Sequence, residues 1–445
     1  MKIAVLGAGI AGISAGFHAQ EKHPNAEVII YEKSNDWGGL CSGFYVDSSK
    51  GKFWFDNAVH LSFAKDPYVQ KVFAESSKPI LHTPSITNYF QGSWLKHPAQ
   101  NNLFHLPVEM KVKAIKDMID NHNKKENLEN FEEWLKAQYG TFFTENFSMK
   151  YTRKYWSVEA KELNTNPKWV GSRFYQPSVE EVLQGAMTDD TPVTYYAQEQ
   201  RYPKEGRYKS FLKNLVRQTT IEYNKEVKCI DTKKKVLSFS DGKQTSYDAL
   251  ISTLPLPEII KTMPDAHKDV KDAAKNLHHT QVALISLGFN KPDIPKNLWF
   301  YVYDEDILFA RVYSPSKKSP NNAPKGCSSL QAEVYFSTFK PLEKLAPKGS
   351  NLSQYFLAHT KDCLVRMGAG GGNIKNDIIC EDFRILPYGN IMFTHGIERY
   401  RKIALDFLQE NGIVSCGRFG EWDYLWSDES FLSGKKAVDK ILIRS

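Results

Sequence analysis

Six residues near the start constrain this chain more than anything that follows: Gly7-Ala8-Gly9-Ile10-Ala11-Gly12, between the apolar run 2–6 and small or apolar residues through Ala19. The order reads strand, glycine turn, helix. Gly7 permits a tight turn, Gly9 lets the backbone approach a pyrophosphate, and Gly12 lets the helix pack closely on the strand. A diphosphate there meets free N–H groups and the positive end of a helix dipole, with Ile10 and Ala11 in the first turn. A second apolar run, 27–31, ends in Glu32, twenty residues after Gly12, where an acid can accept hydrogen bonds from a ribose diol. The pattern predicts a Rossmann-type, dinucleotide-binding α/β unit.

The chain's 445 residues exceed one ordinary core, so several domains are expected. Its longest apolar runs are strand-sized, well short of the ~20 residues a bilayer span needs. Glycines interrupt the apolar start within seven residues, unlike a signal peptide, and a cytoplasmic protein that does not enter a membrane is expected. Six scattered cysteines form no CxxC and no Cys/His ligand spacing, which predicts free thiols and no metal. A net charge of +7 is spread along the chain, and fits a preference for anions such as a diphosphate; no nucleic-acid partner is expected.

After Glu32 the sequence runs Lys33-Ser34-Asn35-Asp36-Trp37-Gly38-Gly39-Leu40. The Gly38-Gly39 pair resembles the second pyrophosphate contact of the large FAD family that includes amine oxidases, protoporphyrinogen oxidase and UDP-galactopyranose mutase. FAD is the cofactor this resemblance implies, with Lys33 and Leu40 in the same contact segment.

Further along, strand patterns are expected near 52–56, 87–91, 228–240, 249–253, 281–289, 298–303, 308–313 and 330–336, and helical periodicity over 110–121 and 131–139. The buried run 249–253 reads as a strand returning to the Rossmann sheet. Phe55-Asp56, His60, Gln100-Asn101-Asn102-Leu103, Lys154-Tyr155-Trp156, Arg173, Arg201-Tyr202-Pro203, Arg311 and Gly417-Arg418-Phe419-Gly420-Glu421-Trp422 occur in the order seen in UDP-galactopyranose mutases. The whole chain resembles that family. The resemblance implies a discontinuous FAD-binding Rossmann-type domain (1–85, 200–260 and 380–445), a helical domain (100–195) and an antiparallel β-sheet substrate domain (86–99 and 261–379).

The implied reaction interconverts pyranose and furanose forms of a nucleotide-bound sugar through an adduct at N5 of reduced FAD, in surface-glycan synthesis. It requires a nucleotide-sugar substrate and an external electron donor. Arg173 and Arg311 match arginines that meet the departing diphosphate, where guanidinium geometry suits phosphate. His60 matches the histidine over the isoalloxazine. Gln100, Asn101, Trp156, Tyr301, Tyr388 and Tyr424 match substrate-binding positions, and Val227, Gly417, Arg418 and Asp428 match flavin-binding ones.

Three departures stand out. Two glycines before the family histidine are Ala58-Val59 here, which predicts a stiffer or differently shaped loop. Ala99 replaces an aromatic residue beside the base, leaving Trp94 or Phe104 as neighbouring substitutes. Arg207-Tyr208 follows Gly206 where small residues are usual. These changes keep two other readings open, an amine-oxidase-type FAD oxidoreductase and a non-catalytic flavin-binding protein. The sugar, the base, the donor and any homo-oligomer stay unnamed.

Overall fold

The computed structural model describes residues 1–83, 86–121, 128–165, 174–192 and 199–441. Its centre is a five-stranded, all-parallel sheet in the order Ile413–Ser415, Ala249–Ser252, Lys2–Leu6, Glu27–Tyr31, Thr220–Glu222. Parallel strands need both faces covered. One layer comes from the helices Ile10–Lys22 and Ser427–Asp439, which meet through small residues: a Cβ added at Gly434 would lie 2.1 Å from the Ala11 carbonyl. The first and last helices are thus packed together, and segments from both ends of the described chain meet on one face of the parallel sheet.

The second layer system is a seven-stranded sheet, ordered Ile378–Leu386, Gln281–Phe289, Ser328–Phe336, Arg311–Tyr313, Trp299–Val302, Ile86–Phe90, Ser93–Lys96. Its pairs are antiparallel except Trp299–Val302 with Ile86–Phe90, which run parallel. Gln281–Phe289 and Ser328–Phe336 are buried almost throughout, as central strands should be. The third part is helical, with Val108–Asn121, Phe131–Tyr139, Met149–Tyr155 and Val179–Met187.

Three expectations need correction. The boundary at 380 cuts the strand Ile378–Leu386, which pairs along Gln281–Phe289 and belongs to the larger sheet. The boundary at 261 places the helix Lys268–Lys275 with that sheet, whereas Val270 and Ala274 are buried with Phe407 and Leu408 beside the parallel one. The run 228–240 is a hairpin, Val227–Asp231 against Val236–Phe239, because three consecutive lysines, 233–235, cannot continue a half-buried strand. No helix among the described residues is long and apolar enough to cross a membrane.

Candidate active site

Three glycine segments converge on one end of a cavity of about 1280 Å³. Gly7 holds φ +95°, and Gly38 and Gly39 hold φ +108° and +54°. The Gly38 N–H donates to the Ala8 carbonyl, and a Cβ on Gly39 would sit 3.2 Å from the Gly9 Cα. Gly417, at φ +81°, passes so near that its Cβ would lie 2.7 Å from the Ala11 Cβ. A Cβ on Gly9 would meet nothing within 4 Å. That open space at a helix N-terminus fits a pyrophosphate. Gly12 lies behind it, its Cβ position 1.8 Å from the Gly7 carbonyl oxygen, so its glycine serves helix-to-turn packing.

Glu32 borders the cavity with its carboxylate held: Oε2 accepts from the Ala8 N–H at 2.7 Å, and Oε1 from the Ser34 N–H at 2.9 Å and hydroxyl at 2.7 Å. A carboxylate has roughly four acceptor sites, which leaves room for a ribose hydroxyl. Ile10, Ala11, Lys33, Leu40 and Val227 line the same end. Asp428 is buried in the first turn of the last helix, behind the lining residues Ser427 and Ser430.

Beyond the cradle the cavity opens onto the seven-stranded sheet. Register places Tyr301, Arg311 and Glu333 side by side on three adjacent strands. Arg311 Nε donates to Glu333 Oε2 at 2.7 Å, and an Nη to the Tyr335 hydroxyl at 3.0 Å. Burial disfavours the charged guanidinium, but Glu333 and the surrounding tyrosines outweigh it and hold Arg311 charged. Tyr151, Tyr155, Trp156, Tyr335 and Tyr424 complete an aromatic chamber around it. Arg418 reaches in from the C-terminal segment, its guanidinium 4.3 Å from the centre of the Tyr424 ring. Its Nη groups donate to the Asn390 side chain and the Leu425 carbonyl, each at 3.0 Å. Among the described residues the buried Arg418 Nε and Asn390 Nδ2 have no partner, and two unspent donors on residues that border the cavity fit a bound flavin or substrate.

His60 lines the cavity against Tyr208, and burial lowers its pKa to about 4, so the imidazole is neutral near pH 7. The loop before it carries the first departure. Ala58 adopts φ +66°, the left-handed region that favours glycine, while the Val59 N–H donates to Glu333 Oε1 at 2.9 Å. The third departure also has a cause: Arg207, at φ +68°, lays its guanidinium over Trp54, and Tyr208 fills the space beside His60. Below them Lys318 and Asp56 form a fully buried pair at 2.5 Å, with the Tyr202 hydroxyl donating to Asp56 at 2.8 Å. Asp56 thereby ties its own segment to those around Lys318 and Tyr202.

Gln100 lines the cavity, but Asn101 does not: it is buried, with its backbone carbonyl against Gly185. Tyr388 borders the cavity yet its hydroxyl donates a hydrogen bond to Glu258 Oε1 at 2.8 Å. Arg173 lies outside the described residues. Ala99 is fully buried in the core, Trp94 packs against Phe300 and Tyr89, and Phe104 is exposed, so none supplies a ring to the cavity. The rings there are Phe131, Tyr139, Phe143, Phe174 and Tyr175, from the helical part. Sequence reasoning missed these, and it missed Glu333 and Lys318. A charge inside the otherwise strand-like run 330–336 was the available signal for Glu333.

The model of the family described as flavin containing amine oxidoreductase matches residues 10–442. The chain belongs to that family. With a cradle for a dinucleotide, the flavin is FAD rather than the mononucleotide. Among curated proteins the chain is similar to the coproporphyrinogen III oxidase of Staphylococcus aureus, 20% identical over 371 residues, covering 75% of this chain and 78% of that one. Among solved structures it is similar to a reduced UDP-galactopyranose mutase, TM-score 0.88 at 24% identity, over 99% of this chain and 95% of the other. It is also similar to a candidate protoporphyrinogen oxidase from Exiguobacterium, TM-score 0.74 at 14% identity, over 99% and 98%.

Proposed function

We propose that the chain is an FAD-dependent mutase that interconverts the pyranose and furanose forms of a nucleotide-bound sugar, UDP-galactopyranose or a related one, in cytoplasmic surface-glycan synthesis. The observation that carries this reading is Arg311, a buried guanidinium held at the cavity face of the sheet within a ring of tyrosines. Such a cation, preorganised in a site of low dielectric, stabilises the charge that develops on a departing diphosphate. The cavity, about 1280 Å³, exceeds the roughly 300–1,000 Å³ of a single-ligand pocket, which supports room for a nucleotide sugar beside FAD. The likeness in fold to a reduced UDP-galactopyranose mutase supports the same reading.

On this reading Gly7, Gly9, Gly38, Gly39 and Gly417 hold the cofactor diphosphate, Glu32 the ribose, and Arg418 and His60 the flavin. Bound FAD, once reduced by an external donor, supplies the nucleophile toward the anomeric carbon. Arg311 binds and orients the diphosphate, and Arg173 is its second cation by resemblance. Tyr155, Tyr301, Tyr335 and Tyr424 exclude water and offer hydroxyls. His60, neutral at pH 7, adds no positive charge beside the flavin.

Anaerobic reduction of the purified holoenzyme, addition of UDP-galactose and chromatography of the nucleotide sugars tests the reading. A furanose product that forms only with reduced protein supports it. Flavin bleaching by substrate with peroxide formation would replace it by an amine-oxidase-type oxidoreductase, and neither outcome by a non-catalytic flavin protein.

A further inference from the structure

The carboxylate of Glu333 touches two parts of the site that belong to different segments. Oε2 accepts from Arg311 Nε at 2.7 Å and from the Tyr335 hydroxyl at 2.9 Å, while Oε1 accepts from the Val59 N–H at 2.9 Å. The residue is fully buried, directly opposite Arg311 across an antiparallel pair. Its side chain therefore leaves the sheet toward the loop that carries His60. That loop needs an anchor, because Ala58 holds φ +66°, a left-handed conformation that L-residues rarely adopt without support. Cross-strand pairing accounts for the Arg311 contact alone. It does not account for the bond to Val59, 274 residues away in sequence.

We propose that Glu333 is the positioning residue of this site: one carboxylate sets Arg311 and the Ala58–Val59–His60 loop in register with each other. The group that meets the diphosphate and the imidazole beside the flavin are thereby fixed by a common partner. This assignment rests on the mutase reading for the role of Arg311, but its geometry does not. Replacing Glu333 by glutamine makes the point sharply. Both carboxylate oxygens accept hydrogen bonds, whereas an amide offers one acceptor and a donating NH2. The amide must therefore confront either Arg311 or the Val59 N–H with a donor.

The test is a double-mutant cycle on the oxidised holoenzyme, with UDP as the probe, read from its perturbation of the flavin spectrum. Glu333→Gln should weaken UDP roughly tenfold or more in the native background and less than about twofold once Arg311 is alanine. Hydrogen exchange in the segment 57–60 should also quicken in Glu333→Gln without any ligand. An equal loss in both backgrounds would mean that Glu333 acts as plain core structure, and unchanged exchange in 57–60 would sever the loop from it. Either result overturns the proposal. A protein that makes no furanose but shows the cycle and the faster exchange loses the mutase reading and keeps the positioning role. If UDP does not bind at all, the exchange measurement still decides.

Discussion

Replacing Gly9 by valine should remove FAD and leave the protein folded, and the structure gives the reasons separately. The backbone there is extended, φ −75° and ψ −179°, which any residue adopts, and an added Cβ meets nothing within 4 Å. Exchanging a glycine at a compatible position stabilises by roughly 0.4–1 kcal/mol through the unfolded chain. Gly9 is also the helix N-cap, where losing glycine costs a similar amount. The two cancel to within about 1 kcal/mol. The side chain, however, enters the space that the diphosphate requires. If it displaces two charge-assisted N–H contacts worth ~1.5–3 kcal/mol each, affinity falls by roughly 10² to 10⁴. Gly12→Ala is the contrast, since its Cβ would lie 1.8 Å from a backbone oxygen and something must move. That overpacking costs ~1–3 kcal/mol or more. Flavin content of the purified variants and urea denaturation of their deflavo forms measure both quantities. A Gly9→Val protein that retains full FAD, or that unfolds while Gly12→Ala stays normal, would refute the reasoning.

Arg311→Ala should lower mutase turnover about 10²–10³-fold with the flavin spectrum retained, since the guanidinium is assigned to the leaving diphosphate; normal turnover would exclude it. Arg173→Ala carries the same expectation by resemblance. Burial holds the imidazoles of His60 at about 4 and His97 at about 3, below the ordinary 6.5. The unfolded chain therefore takes up protons at both as pH falls through 6.5 while the fold does not, so stability falls from pH 7 toward 4, by ~2 kcal/mol per histidine at pH 5. Urea denaturation at pH 7 and 5 checks this, and a His97→Asn variant with an undiminished pH dependence would contradict it.

The dinucleotide cradle was legible because its demands are local. A turn at φ +95°, an open approach at Gly9 and a contact at Gly12 each call for glycine, and the spacing to Glu32 is set by one helix and one strand. Gln281–Phe289 was equally plain, as a nine-residue apolar strand. Ile378–Leu386 was not, because an edge strand with Glu381, Asp382 and Arg384 carries little apolar pattern. The direction of side chains in the short turn 99–101 was also hidden. Gln100 lines the cavity while Asn101 is buried away from it, its backbone carbonyl packed against Gly185 of the helix Val179–Met187, a contact that nothing within the turn announces. The order of motifs located Arg311, but its partners are set by register across the sheet, which one strand's sequence does not contain.

The three departures differ in what they touch. Arg207 and Tyr208 are absorbed by packing on Trp54 and beside His60. Ala58 keeps the left-handed turn that a glycine would provide, so the change lies in stiffness more than in shape, and the bond from Val59 to Glu333 holds the loop where it is. Ala99 is the one that, on the mutase reading, alters the base wall. Because it is fully buried beneath the cavity, a larger ring placed there would compress the core before it reached a ligand. On the mutase reading, the rings available to stack on a base are Phe131, Tyr139, Phe143, Phe174 and Tyr175 of the helical part. On the mutase reading, the rings that could meet a base come largely from the helical part, while Arg311 and its partner Glu333 come from the sheet.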